Sequence, residues 1–72
     1  MTPEELLVKN GKVPGQLETD GPWGNAFMIM GALAGRMHVS GWSREDIEEY
    51  RAHMMSGDYE NLCELARRAY ED

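Results

Sequence analysis

Two histidines and one cysteine are the side chains of this 72-residue chain best suited to metal or nucleophilic chemistry. His38, His53 and Cys63 fall on three different predicted helices, and no CxxC, HxxxH or HExxH spacing joins them. Surface or boundary histidines and a buried thiol are the simpler reading. A nucleophilic Cys63 needs a nearby base and an electropositive setting. Its neighbours Glu60 and Glu64 supply the opposite field. The carboxylate pairs Glu45/Glu49 and Glu60/Glu64 are spaced four apart on helix faces. Acid–base catalysis needs carboxylates in a concave, partly desolvated site, and a solvated face does not provide one. No catalytic site, metal site or cofactor is expected.

Binding chemistry has more to work with. Gly21-Pro22-Trp23-Gly24 stands before Asn25, the predicted N-cap of a long helix. Free N–H groups at a helix N-terminus can hold an anion. The glycine spacing matches neither a P-loop nor a dinucleotide fingerprint, so an ordinary turn is the plainer account. Trp23 is either a lid on a small core or a platform for a stacked ligand. A nucleotide held between subunits would use Arg36 or Arg44 on phosphate and Trp23 or Trp42 on the base. The expected ligand-binding residues are therefore Trp23, Asn25, Arg36, Trp42 and Arg44.

The elements that would position these residues are helical. Residues 2–9 predict a short helix with Thr2 as N-cap, Pro3 in the first turn and Asn10-Gly11 as its stop. Residues 12–24 carry Pro14, Gly15, Gly21, Pro22 and Gly24 and predict an irregular arm, with room for an extended stretch at 16–18. Residues 25–39 predict the main helix. Phe27, Met28, Ile29, Met30, Leu33, Met37 and Val39 make it apolar nearly all round, which implies burial on more than one side. Gly31 and Gly35 share one face and would let another helix approach closely. Ser43 caps a helix near 44–55 with Ile47, Tyr50 and Met54 inward, and Ser43 with Asp46 resembles a capping box. Asp58 or Ser56 caps a last helix near 59–70, its inward stripe being Tyr59, Leu62, Cys63, Leu65, Ala66 and Tyr70. Arg44–Glu48, Glu64–Arg68 and Arg67–Glu71 are the predicted surface pairs. The expected architecture is all-α: a three-helix core over 25–72 and an N-terminal helix-and-loop arm over 1–24, in one domain.

Composition limits the function further. The net charge is −6, and carboxylates crowd the C-terminal half. Such a surface repels phosphate backbones and anionic membranes, so direct nucleic-acid or membrane binding is not expected. Five arginines interrupt the acidic field, which weakens the idea of a polyanion mimic that blocks a DNA-binding protein. No stretch has the apolar length of a membrane span or the form of a secretory signal. One cysteine allows no intrachain disulfide and suits a reducing cytoplasm. A chain this short lacks staples, and a homo-oligomer through residues 25–39 would supply the missing burial.

Several segments together resemble a family. They are Gly24-Asn25-Ala26-Phe27, Ile29 and Gly31, Gly41-Trp42-Ser43, Glu45-Asp46-Ile47-Glu48-Glu49-Tyr50, and Met55-Ser56-Gly57-Asp58-Tyr59 with Leu62. Across roughly residues 20–68 they look like an uncharacterised group of small bacterial and phage proteins. Members typically read Asp-Gly-Asn-Ala-Phe at the front and Ser-Gly-Asp-Tyr-Asp at the last helix. This chain departs from them by carrying Pro22-Trp23 between Asp-Gly and Gly-Asn. The resemblance implies a setting in mobile genomes and no particular activity. The expected function is a non-enzymatic binding protein. A phage-type counter-defence inhibitor that occupies a host protein or sequesters a nucleotide signal is its concrete form. The alternatives are a structural or housekeeping oligomerisation module and an acidic polyanion mimic that blocks a DNA-binding protein.

Overall fold

A computed structural model describes residues 1–71, and at Pro22 and Trp23 the backbone alone. Among the described residues four helices make up the fold: α1 (Pro3–Asn10), α2 (Ala26–Val39), α3 (Arg44–Met55) and α4 (Tyr59–Ala69), with a 3-10 turn at Gly21–Gly24 before α2. The protein is all-α.

A polar side chain starts each helix. Thr2 Oγ1 accepts the Glu5 N–H at 3.1 Å, and Glu5 Oε1 accepts the Thr2 N–H at 2.7 Å, a reciprocal capping box. Asn25 Oδ1 accepts the Phe27 N–H at 2.8 Å. Ser43 Oγ accepts the Asp46 N–H at 3.1 Å, and Asp58 Oδ1 accepts the Asn61 N–H at 2.9 Å. Each cap satisfies a donor that the helix itself leaves open.

The core runs through all four helices. Ile29, Met30, Leu33 and Met37 of α2 meet Ile47, Tyr50 and Met54 of α3 and Leu62, Leu65, Ala66 and Ala69 of α4. Leu6 of α1 and Val13 after it belong to the same core and have no exposed surface. Val13 is held at both ends. Its N–H donates to the Ala69 carbonyl at 2.8 Å, and its carbonyl accepts the Glu71 N–H at 2.9 Å. These two bonds make an isolated parallel bridge between Val13 and Tyr70.

Three sequence expectations change here. Ser43 caps the Asp46 N–H, but among the described residues the Asp46 carboxylate returns no hydrogen bond to the Ser43 backbone N–H, so the box is only half closed. That buried carboxylate meets Lys9 Nζ at 2.9 Å and accepts from Asn10 Nδ2 at 3.0 Å, so it ties α3 to α1. Asp is a methylene shorter than the Glu of the usual box, and the α1 donors lie within reach. The pairs Arg44–Glu48 and Arg67–Glu71 do not form among the described residues. Glu48 pairs with Arg51 at 3.2 Å, and Glu64 takes both Arg67 at 3.2 Å and Arg68 at 3.4 Å. Glu71 lies beyond the end of α4, where the chain is extended and the helical spacing is lost. Tyr59 is half exposed, and its hydroxyl donates to the Gly24 carbonyl at 2.5 Å instead of entering the core.

Asp46 makes a prediction about acid. Hydrogen bonds from Asn10 and Lys9, opposed by partial burial, hold its carboxyl below the usual value of 3.8. A depressed folded pKa gives stability that is complete above the unfolded value and is lost as pH falls through the folded one. The wild type should lose thermal stability as pH drops below 3.8, and Asp46→Asn should show a flatter acid limb. Equal slopes for the two proteins in melts across the acid range would refute this role.

Gly24 makes another. A Cβ there would sit 2.6 Å from the Thr19 carbonyl oxygen, a backbone atom that cannot swing aside. Gly24→Ala should destabilise by about 1–3 kcal/mol through overpacking. Chemical denaturation would measure it, and an unchanged midpoint would contradict the tight closure.

Candidate functional site

The apolar character of α2 is not used evenly. One side of the helix, through Ile29, Met30, Leu33 and Met37, faces α3 and α4. The other side carries Met28, Gly31, Ala32, Gly35, Arg36 and Val39, spaced to share one stripe. This stripe is open. Val39 is 84% exposed, and a Cβ built on Gly31 or Gly35 would meet nothing within 4 Å. Burial on more than one side, expected from composition, is therefore not achieved within one chain. Helices α3 and α4 cover a single side, and the N-terminal segment reaches only the margin.

That margin makes the stripe a groove. Residues 15–18 form its wall, Tyr70 closes one end, and the cavity holds about 920 Å³. Gly15 lies against the Tyr70 ring with φ of +119°. A Cβ there would be 3.1 Å from Tyr70 Cε1 and 3.8 Å from Arg36 Nε. Glycine is required for both the backbone angle and the contact. Arg36 thus stands at the Tyr70 end, and no ion pair to it forms among the described residues. Burial raises the Tyr70 hydroxyl pKa above 10.0, and the Arg36 charge opposes that shift. Glu18 lies on the wall and is exposed. The groove is thus apolar along its floor, with one cation and one anion at its edges.

The four expected binding residues whose side chains are described, Asn25, Arg36, Trp42 and Arg44, do not converge. Arg36 lines the groove. Asn25 is occupied as the cap of α2. Arg44 is exposed in the first turn of α3, away from the groove lining. Trp42 is in the core at 4% exposed, so it offers no platform to a ligand. Its ring meets Tyr50 edge to face, with centroids 5.8 Å apart and planes at 88°. The turn after α2 folds it inward, because the Trp42 N–H donates to the Met37 carbonyl at 3.0 Å. The side chain of Trp23 lies outside the described residues.

The remaining reactive side chains are dispersed. His38 is exposed on α2, and His53 Nε2 lies 2.6 Å from the Met1 carbonyl oxygen, which can only accept. Cys63 is buried in α4. Among the described residues, no three His, Cys, Asp or Glu side chains gather as a metal site. No described helix is long and apolar enough to cross a membrane.

Sequence reasoning missed the wall at 15–18 and the part played by Tyr70. The glycine at 15 was the available clue. No family model, curated protein or solved structure matches this chain.

Proposed function

We propose that this is a non-enzymatic binding protein whose working form is a homo-oligomer assembled through the outer face of α2. The observation that carries the reading is the open apolar groove along that helix. An exposed apolar patch with a shaped floor is how soluble proteins present an interaction surface. In this reading α2–α4 are a three-helix core, and residues 1–24 are an arm that clasps it and walls the groove.

Charge supports the same surface. The chain carries −6, while residues 25–40 contain no carboxylate and one arginine, leaving a formal −7 for everything else. The carboxylates therefore all lie elsewhere on the chain, and like charges across a contact are costly, so this face meets a second copy with the least charge repulsion. A nucleotide ligand has less support, because Trp42 is buried and Arg44 stands apart from Arg36. The concrete role we propose is a phage-type counter-defence inhibitor in the bacterial cytoplasm that occupies a host protein. The resemblance over residues 20–68 and the single, buried cysteine support that setting.

Light scattering on a concentration series tests the reading. The mass should rise from one 8.2 kDa chain to a multiple of it. A single-chain mass at every concentration would end it. Mass spectrometry of the purified protein is the companion measurement, and a stoichiometric co-purified nucleotide would overturn the protein-binding form.

A further inference from the structure

We infer that the occupant of the α2 groove is a second copy of this chain, packed antiparallel about a twofold axis between Ala32 and Gly35. The inference rests on the self-association reading above and specifies its geometry. The stripe Met28, Gly31, Ala32, Gly35, Arg36, Val39 has the same spacing read in either direction: three, one, three, one, three. An antiparallel twofold sets Met28 against the partner's Val39, Ala32 against the partner's Gly35, and Arg36 against the partner's Gly31. Large apolar groups then meet at the two ends, and small residues meet at the centre, where the backbones can approach. The long Arg36 side chain lies over a residue with no side chain, in space that is open in the single chain.

A parallel twofold instead sets Arg36 against its own copy, two cations in one contact. Parallel pairing would also align the two helix dipoles unfavourably.

The wall of the groove agrees with the antiparallel choice. Gly15 sits beside Arg36, and Thr19 sits against Gly24 just before α2 begins. The segment between them therefore runs back along α2 toward its N-terminus, carrying Glu18 away from Arg36 of the same chain. Antiparallel pairing brings the second copy's Arg36 to the Gly31 level, on the side where Glu18 stands. Each copy then supplies one cation and one anion to the other, and isologous contact closes the assembly at two chains.

Cysteine trapping tests the register. Met28→Cys and Val39→Cys are made separately in a Cys63→Ala background, and each is checked for helical circular dichroism. Both positions are exposed in the single chain, so neither change empties the core. Antiparallel packing holds position 28 near position 39 of the other copy, while like positions lie about 16 Å apart along the axis. A short bifunctional thiol reagent should crosslink the mixed proteins at least about tenfold more efficiently than either alone, because paired thiols share a high effective concentration. Efficient crosslinking of each variant with itself would mean parallel pairing and would overturn this register while leaving self-association intact. No crosslink in any tube, with a two-chain mass by light scattering, would overturn the groove as the interface. A one-chain mass would remove the self-association reading itself.

Discussion

Gly35→Glu should leave the folded chain at least as stable as the wild type and weaken self-association by about 100-fold. The two halves of this result have separate causes. In the single chain a Cβ at position 35 meets nothing within 4 Å, and Gly35 has no positive φ, so the side chain enters open solvent without strain. Glycine inside a helix costs about 0.5–1 kcal/mol relative to better helix formers, and the substitution recovers part of that. In the proposed antiparallel pair the same position lies next to the twofold axis. Two new carboxylates would be brought together there in an apolar contact. Like charges juxtaposed across an interface cost several kcal/mol, and about 3 kcal/mol is more than 100-fold in affinity. Thermal melts at high dilution read the first half, and light scattering at high concentration reads the second. A variant that melts early would mean the face is packed within the single chain. One that associates like the wild type would move the interface elsewhere.

Tyr50→Ala should unfold most of the protein. Tyr50 has no exposed surface, receives the edge-to-face contact of Trp42, and donates its hydroxyl to the Leu65 carbonyl at 2.6 Å. One side chain thus joins α3 to α4 and to the turn after α2. Truncating a buried aromatic side chain to alanine costs about 3–5 kcal/mol. A core of this size supplies only about 3–5 kcal/mol in total. Tyr50→Phe keeps the ring and should lose about 1 kcal/mol for the hydrogen bond. The two variants separate packing from polarity, and urea denaturation measures both. Near-equal losses would show that the hydroxyl, not the ring, carries the contribution.

Tyr50 also sets an alkaline limit. Burial pushes its hydroxyl up to about 12 from 10.0. The unfolded chain releases this proton first, so stability present below 10.0 declines as pH rises toward about 12. Tyr50→Phe removes that contribution and should soften the decline.

The helix starts were legible because a cap is local chemistry. Thr2, Asn25, Ser43 and Asp58 act on backbone groups two or three residues away, within reach of a reading along the chain. The Thr2–Glu5 box is equally local, joining residues three apart. What could not be read was which side of α2 faces inward. Met28 and Val39 are as apolar as Ile29 and Met37, and only the positions of α3 and α4 distinguish them. Trp42 misled for a similar reason. A tryptophan in a Ser-Gly turn looks available, and the Trp42 N–H bond to Met37 that tucks it under appears only in three dimensions. The ties of Asp46 to Lys9 and Asn10, and of Val13 to Ala69 and Glu71, join residues far apart in sequence and left no periodic trace.

The central claim is that the outer face of α2 is where this protein meets its partner copy. The most direct test is the accessibility of the Val39 methyl groups to a soluble paramagnetic agent, read by methyl NMR in dilute and concentrated samples. Val39 is 84% exposed in the single chain, so its methyl signals should be strongly attenuated when dilute. They should become protected as the concentration rises, in step with the growth in mass. Methyl signals that stay fully attenuated while the mass doubles would place the contact on another face and contradict the account.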